Sequence, residues 1–366
     1  MDRLEVRVSI TKLLLALIIL IVPMSIAGLI LTQHSDQSLD NAIGANFRTM
    51  AEMFSNEVSQ YMLDRVNDVV AMSSDPAIVQ AVSAGNHSGG NKAAEQKPVM
   101  VAKGSGVAAG ILGNSASQVL RRRRDLDPRF LRIVATNDAG AVVAATHNPA
   151  AASYARNEAW QGVFNNGQGA IKIGGILSDE FSKSSYVTIG VPVPDPASSA
   201  TVGVLSAAVD ITPLLLRFRQ SQISNGARAW LVNEDAHIIS GPSADVFARV
   251  QSPEFGAIHD SVGLPEGTQS GWTMANLAFG RSIVGYAGTG LKKTYDNLGW
   301  YVLVSQDERQ ATAPIRVLSQ FALLMVVLAL CMLTLLSVYY YLHRSQRFAH
   351  LAEDFPVDHG RHAPAI

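Results

Sequence analysis

The chain has 366 residues, and 29 Lys and Arg stand against 30 Asp and Glu, so its formal net charge is −1. A balanced charge offers no basic surface of the kind that nucleic-acid binding requires, and nucleic acid is not expected as a partner. The chain has one cysteine, Cys331. No disulfide can therefore form within it.

Two uncharged apolar runs lie near the ends of the chain. The first runs from Leu13 to Leu31 and the second from Val317 to Leu342. Each has the ~20 residues that a helix needs to cross ~30 Å of hydrocarbon. We therefore predict transmembrane helices over 13–32 and 315–342, with membrane lipid as a partner of both.

The charges beside the first run predict the orientation. Arg3, Arg7 and Lys12 precede it, and the next basic residue is Arg48. Because short cytoplasmic flanks carry the excess of Lys and Arg, residues 1–12 should be cytoplasmic. The same topology makes 33–314 extracytoplasmic and 343–366 a short cytoplasmic tail. The predicted location is the cell (inner) membrane, crossed twice.

A cleaved signal peptide is the alternative for the first run, since Ser25, Ala27 and Gly28 supply small residues near a cleavage site. The apolar stretch is longer than the 7–15 residues usual for a signal peptide, which favours an uncleaved anchor.

The segment after the first run predicts a long stalk helix, assigned to 33–82 and suited to carrying a signal. Ser35 and Asp36 are expected to cap its start. Its apolar residues recur mostly every three or four positions, which is one stripe of a helix. They are Leu39, Ile43, Phe47, Met50, Phe54, Val58, Tyr61 and Val69. The sequence Ser73-Ser74-Asp75-Pro76 should stop or bend this helix.

A surface loop is predicted from Ser83 to Gly106, where Gly, Ser, Asn, Ala and Lys predominate. A helix around Ser115–Arg124 should follow. It ends in four consecutive arginines, Arg121 to Arg124, which are typical of a solvated face, with an anionic lipid or partner contact as the alternative.

Two similar blocks of predicted antiparallel strands come next, over 125–212 and 225–306. In each block, two strands separated by a polar turn precede a helical insert and further strands. The predicted strands of the first block are Phe130–Thr136, Ala141–Thr146, Ala170–Gly174, Ser185–Pro192 and Val202–Val209. Those of the second are Ala229–Val232, His237–Ser240, Trp272–Phe279, Arg281–Tyr286 and Trp300–Ser305. The predicted fold class is α+β: a long N-terminal stalk helix and two tandem antiparallel sheet modules, flanked by two transmembrane helices.

Several stretches resemble the double Cache (PAS-like) extracellular sensor domains of bacterial transmembrane receptors. They are Asn157-Glu158-Ala159-Trp160-Gln161 and Gly167-Gln168-Gly169 around the helical insert, Ile189-Gly190-Val191-Pro192-Val193 and Val202-Gly203-Val204-Leu205 in the first block, and Asn297-Leu298-Gly299-Trp300-Tyr301-Val302-Leu303-Val304 in the second. The resemblance covers roughly Leu39 to Ala313 and rests on their order and spacing.

The resemblance implies that the membrane-distal module, 125–212, holds the ligand. Trp160 matches an aromatic residue that closes the pocket, and Asp210 matches the acid that binds the ligand's ammonium group in amino-acid sensors of the family. Glu158 stands where those sensors have an arginine, and Gln161 where they have a tyrosine. An α-amino acid ligand is therefore not implied.

The residues themselves favour two ligand classes. Aromatic faces and carboxylates suit an amine, and basic residues suit a small carboxylate. The candidate ligand-binding residues are Tyr154, Arg156, Glu158, Trp160, Asp179, Tyr186 and Asp210, with Lys183 as a further cation. Asp210 is alternatively a cap for a helix from Pro213, and Trp160 is alternatively plain core.

No catalytic residues, metal site or cofactor are predicted, because the chain has no GxxxxGK, HExxH or GxSxG pattern. Relatives continue into a HAMP linker and an output module, and about 24 residues after Leu342 leave no room for one. The predicted function is a transmembrane sensor that passes a conformational signal to a separately encoded kinase, cyclase or other output protein. The expected state is a homodimer. The alternative is a membrane-anchored solute-binding or scaffold module without signalling output. The sequence does not decide whether the chain is a split, accessory or degenerate receptor.

Overall fold

A computed structural model describes the backbone of residues 10–87, 106–179, 182–198, 200–220, 222–223, 226–242, 246–263, 269–277 and 280–313, and most positions between 323 and 339. The side chains of residues 10–37, 106–107, 222, 246 and 262 are outside this description. The chain divides into two compact units. Leu39–Ala311 is one, and Met1–Ser38 together with Thr312–Ile366 is the other.

The first helix, α1, is Ile10–Ser73. It does not begin at Ser35 and Asp36, so the predicted cap there is wrong. No proline or glycine interrupts the chain between Thr32 and Asn41, and polar residues that favour a cap stay helical when the backbone before them already is. The predicted stop is confirmed. Asp75 turns the chain, its Oδ1 accepts from the Ala77 N–H at 3.0 Å, and α2 (Pro76–His87) begins on the proline.

The predicted loop over Ser83–Gly106 is wrong for residues 83–87, because α2 extends to His87. Residues 88–105 of that prediction lie outside the description. A short helix that the sequence did not predict, α3, occupies Gly106–Gly113. The predicted helix at Ser115 is confirmed as α4 (Ser115–Leu126), and the Oδ1 of Asn114 accepts from the Ser117 N–H at its start.

The first sheet has the strand order β2-β1-β6-β5-β3, with β4 beside β5. All its described pairings are antiparallel. Its strands are β1 (Phe130–Asn137), β2 (Val142–Ala145), β3 (Lys172–Ile173), β4 (Leu177–Ser178), β5 (Ser185–Pro194) and β6 (Thr201–Asp210). The five predicted strands are confirmed, and β4 is an addition. The helical insert is α5 (Glu158–Phe164), and α6 (Thr212–Arg219) follows β6.

The second sheet repeats this arrangement, with the order β10-β11-β12-β8-β7 and β9 beside β8. Its strands are β7 (Gln222–Ile223), β8 (Ala227–Asn233), β9 (Ile238–Ser240), β10 (Ser270–Leu277), β11 (Gly280–Gly288) and β12 (Trp300–Asp307). The helix α7 (Pro253–Val262) follows β9 as the insert of this module. Two tandem antiparallel modules are therefore confirmed, and each has a helical insert after a short strand, β2 in the first and β9 in the second.

One hydrophobic core joins α1 to the inner faces of both sheets. Ile133, Leu205 and Ile189 of the first sheet belong to it, as do Leu231 and Val302 of the second. Strand alternation aims every second residue at α1 and the others at the outer face, where α5 and α7 lie. The outer faces, opposite α1, are where a ligand has room.

Among the described residues, no helix is both long and apolar enough to cross a membrane. The predicted spans over 13–32 and 315–342 fall on residues whose side chains or placement are largely outside the description. Both spans stay predictions.

Candidate ligand-binding site

The helix α5 lies against the outer face of the first sheet. Asn157 starts it by accepting the Trp160 N–H on its Oδ1, at 3.1 Å. Gly190 on β5 permits the close approach of the helix, because a Cβ there would come within 2.5 Å of Val163. The helix ends at Asn165 and Asn166, both with positive φ. Asparagine tolerates that conformation better than most residues, so the local sequence fixes where the helix ends.

Trp160 is held by one hydrogen bond and one stacked ring. It is only 9% exposed, its Nε1 donates to the Thr136 Oγ1 at 2.8 Å, and its ring stacks on Phe164 with the centroids 5.0 Å apart. The Thr136 hydroxyl in turn donates to the Val204 carbonyl at 3.1 Å. The sequence left open whether Trp160 is core or pocket wall, and its packing and its place beside the outer groove meet both descriptions.

An open groove of about 840 Å³ runs along the outer side of α5. Glu158 and Trp160 of the predicted site line it, together with Asp138, Ala139, Ala155, Gln161, Gly162, Phe164, Asn165 and Asn166. Glu158 is exposed at the first turn of α5. The groove is a shallow polar surface.

The strand register arranges the outer face of the first sheet in rows that cross β1, β6 and β5. Thr136, Val204 and Pro192 form one row, beneath Trp160. The next two rows are Val134, Ser206, Gly190 and Arg132, Ala208, Thr188, and the last pairs Asp210 with Tyr186. We call Arg132, Tyr186, Thr188, Ser206 and Asp210 the polar face. All five are partly exposed, whereas the residues that alternate with them on the inner face are buried.

Arg132 is the central cation of the polar face. Its guanidinium lies 5.0 Å from the centre of the Tyr186 ring, a cation–π contact. His147 is close enough for Arg132 to affect it. Burial chiefly lowers the pKa of His147, and the charges of Arg132 and Arg124 lower it further. Burial raises the pKa of Tyr154, which Arg132 partly offsets. Both neighbours are therefore uncharged near neutral pH.

Asp210 fixes the end of β6. Its Oδ1 accepts from the Thr212 N–H at 2.8 Å, where α6 begins. Its backbone carbonyl accepts from the Tyr61 hydroxyl of α1 at 2.7 Å. The N-cap position of α6 is Ile211, so Asp210 is not the cap itself, but its side chain accepts the first N–H of the helix from the residue before the cap. The same carboxylate borders the polar face opposite Tyr186.

The structure brings some of the predicted site residues together and leaves others apart. Tyr186 pairs with Asp210, and Tyr154 packs in the same cluster as Trp160. Arg156 and Lys183 are exposed in turns. Asp179 accepts from the Ser182 hydroxyl at 2.8 Å within its own turn. Among the described residues, no hydrogen bond or ion pair joins Arg156 or Asp179 to the other predicted site residues.

Sequence reasoning missed Arg132 and His147. Arg132 is the one charged residue in the strand Phe130–Asn137, and this break in an otherwise uncharged strand is a signal that could have identified it. His147 lies two residues after β2 and has no such signal. Among the described residues, no three His, Cys, Asp or Glu side chains are grouped to hold a metal ion.

Comparison with known proteins assigns the class of this fold. A Cache domain family model matches residues 35–315. No curated protein is detectably similar to the chain. Cache domains are ligand-binding sensor domains of membrane receptors, and the chain belongs to the Cache domain family, in its double form.

Three solved structures are similar in part. The ligand-binding domain of the Pseudomonas aeruginosa PAO1 amino acid chemoreceptor PctC, in complex with GABA, is 13% identical, with a TM-score of 0.47 over 73% of this chain and 99% of that one. The domain of Pseudomonas fluorescens CtaA with L-leucine is 14% identical, with a TM-score of 0.46 over 75% and 97%. The sensory domain of Campylobacter jejuni Tlp3 is 10% identical, with a TM-score of 0.49 over 76% and 99%. Family membership rests on the match over residues 35–315.

Proposed function

We propose that the chain is a transmembrane sensor that binds a small extracytoplasmic ligand on the outer face of its first module. The observation that carries this proposal is the polar face itself. It is a partly open, hydroxyl- and charge-bearing surface at the centre of a sheet whose other side is closed core. A purely structural sheet face under a helix would be apolar, because buried polar groups without partners destabilise the fold.

Binding there can reach the stalk helix through Asp210. Its carboxylate borders the polar face, and its backbone carbonyl accepts from Tyr61 of α1. A ligand that shifts the end of β6 therefore moves a residue that α1 contacts. Only a ligand with different affinities for the two positions changes their populations.

The second module would receive the same movement through α6. Leu214, Leu215 and Phe218 of α6 are buried in the shared core, and the Leu215 carbonyl accepts from the Ser240 hydroxyl of β9 at 2.7 Å. Lys172 and Asn297 add a direct contact between the modules. Lys172 Nζ lies 3.2 Å from Asp296 Oδ2, and Asn297 Nδ2 donates to the Ile173 carbonyl at 2.9 Å. The modules are thus connected by hydrogen bonds at two places, from α6 and from β3.

The remaining parts of the proposal concern the membrane and partners. The runs over 13–32 and 315–342 would anchor the chain in the cell membrane, with the first module distal to it. A separately encoded output protein would receive the signal, and two copies would associate through α1. The alternative is a solute-binding or scaffold module without output.

Ligand binding by the full-length chain in mild detergent tests the proposal. A thermal-melting screen of amines, amino acids, small carboxylates and nucleobases should give a stabilising compound, since a ligand at 100 times its dissociation constant adds about 2.7 kcal/mol. Thr188→Val removes a hydroxyl from the polar face with little change of shape, and binding should weaken about tenfold, as for one lost hydrogen bond.

Thr273→Val is the matched control, because Thr273 lies on the outer face of the second sheet, on β10. It should leave affinity unchanged. The opposite result would move the site to the second module. Failure of every compound to stabilise a folded chain would favour the scaffold alternative.

A further inference from the structure

We infer that the ligand of the first module carries a carboxylate, which the unpaired guanidinium of Arg132 binds on the polar face. This inference rests on the proposed function and names the ligand class that the sequence left open. It assigns the anion-binding role to β1, and not to Arg156 or Lys183, which lie exposed in turns.

The first step is the pairing of arginines in the described part of the chain. Arg65 and Arg129 bind Asp127, Arg217 binds Glu57, and Arg124 binds Asp125. Arg48 and Arg281 each have a glutamate partner. Arg132 is partly buried on β1, and none of the ion pairs or hydrogen bonds of the described residues includes it. A cation that is partly removed from water and lacks a counter-ion is destabilising unless something else compensates.

The second step is the orientation of the guanidinium. Arg132 lies opposite Ala208 on β6, and Ala208 lies opposite Thr188 on β5. To reach its position over the Tyr186 ring, the arginine side chain must cross Ala208, whose single methyl group leaves room for it. The ring contacts the guanidinium, and no hydrogen bond or ion pair of the described residues occupies its N–H edge. That edge is the part that binds a carboxylate with two parallel hydrogen bonds.

The third step is the set of other groups on and near the polar face. Thr188 and Ser206 bring hydroxyls from the same face, which donate to a carboxylate without adding charge. His147 and Tyr154 are near Arg132 and are neutral around pH 7. Neither of them therefore neutralises the charge of Arg132 or repels an anionic ligand. Arg124, near His147, adds positive potential.

Asp210 is the acidic group on this face, and it is not the partner of Arg132. Its Oδ1 is occupied by the Thr212 N–H, and no ion pair joins it to Arg132 in the described chain. It lies in the row with Tyr186, at the end of the polar face. The carboxylate of a ligand would therefore lie on the Thr188 side of the guanidinium, away from Asp210.

Three series of probes test this inference on the full-length chain. Within each series the probes are similar in shape and differ in charge. The carboxylates are propionate, butyrate and benzoate, the neutral analogues are propionamide, butyramide and benzamide, and the cations are propylamine, butylamine and benzylamine. Melting temperature and calorimetric affinity are measured at constant ionic strength. At least one carboxylate should bind, its amide should bind at least about tenfold more weakly, and its amine should not bind.

Arg132→Gln should weaken carboxylate binding by about 10- to 100-fold, and Arg132→Lys by less, because lysine keeps the charge but loses the planar fork. Arg122→Gln is the control, since Arg122 is exposed on α4 and the described residues show no hydrogen bond or ion pair for it. It should change affinity by less than about twofold. If Arg132→Gln does not fold, as its melting curve without ligand will show, Arg132→Lys carries the test.

The outcomes separate the two proposals. Carboxylate binding that survives in both Arg132 variants overturns the role of Arg132. If an amine or an amide binds and no carboxylate does, the ligand class is overturned. The sensor function still stands in that case, provided that Thr188→Val weakens binding of the amine or amide. If no probe binds here and no compound binds in the wider screen, the proposed function fails as well.

Discussion

Arg65 and Arg217 both tie α1 to the rest of its unit, and they differ in burial. Arg65 is 9% exposed in its side chain and contacts Asp127 at 2.7 Å and Asp68 at 3.1 Å, with its guanidinium about 6 Å from the rings of Tyr61 and Phe130. Burial by itself raises the pKa of Asp127, but hydrogen bonds from Arg129 and Arg65 outweigh it and leave that pKa lowered. The pair stays charged at neutral pH.

Arg65→Ala should lower the free energy of unfolding by about 3 kcal/mol, because it removes a buried ion pair and the aliphatic packing of the side chain together. Chemical denaturation at pH 7 measures this. Arg217→Ala is the control. Its ion pair with Glu57 at 2.8 Å has an arginine that is 63% exposed, and the loss should be about 0–1 kcal/mol. Equal losses in the two variants would show that Arg65 contributes no more than a surface pair.

The candidate site was predictable from sequence only where a side chain acts through its neighbours in the chain. Asp210 before Thr212 and Pro213, and Asn157 before α5, follow from local capping chemistry. Arg132 does not, because its role depends on which residues of β5 and β6 lie beside it. That register is set by pairing between strands far apart in sequence.

At the scale of elements, α1 lies very close to the second sheet. A Cβ added to Gly285 of β11 would fall 2.4 Å from the Phe47 carbonyl carbon, and one added to Gly44 of α1 would fall 2.2 Å from the Trp272 ring. The first contact is with backbone, which cannot rotate away. Gly285 is therefore required by the approach of helix to strand, and its own φ is not in the left-handed region.

Gly285→Ala should destabilise the chain by about 2–3 kcal/mol, since an extra methyl in a closed contact must displace α1 from the sheet. The control is Gly256→Ala on α7, where an added Cβ meets nothing within 4 Å. There, alanine should raise stability by up to about 1 kcal/mol through helix propensity. Thermal unfolding of the two variants gives the comparison, and a neutral Gly285→Ala would mean that α1 packs less tightly than described.

The outward side of α1 has an uncharged stripe at alternating spacings of four and three. It consists of Thr49, Met53, Asn56, Gln60, Leu63 and Asn67, all exposed. Met53 is 58% and Leu63 37% exposed. This spacing is that of a two-helix coiled coil, in which polar residues at such positions fix the register and the number of strands. In the proposed homodimer, a second copy of α1 would pack along this stripe.

Met53→Glu should weaken self-association of the full-length chain at least about tenfold, because two copies would place like charges face to face. Sedimentation in detergent measures the dissociation constant. Leu126→Glu is the control, as Leu126 is 74% exposed on α4 and off the stripe. If both variants associate like the parent chain, α1 is not the dimer contact.

The elements that the sequence predicted well are those with strong periodicity, and the misses have identifiable causes. The stop of α1 at Ser73 and the long strands follow from proline and from apolar alternation. The strands β4 and β7 have two residues each, too few for any period to register. The start of α1 was misplaced because cap residues describe a local preference, which a helix already under way overrides.

At the scale of the whole molecule, the chain's single cysteine makes the proposed topology directly testable. In a Cys331→Ser background, Ala197→Cys places a thiol on an exposed turn between β5 and β6, and Ser345→Cys places one after the second apolar run. A membrane-impermeant maleimide reaches thiols on the outside of intact spheroplasts only. The excess of basic residues before the first run predicts that the large domain is outside. Ala197→Cys should therefore react in intact spheroplasts, and Ser345→Cys only after permeabilisation. Reaction of both thiols in intact spheroplasts would exclude a return of the tail to the cytoplasm, and protection of both would place the Cache domain inside, where an extracytoplasmic ligand cannot reach the polar face.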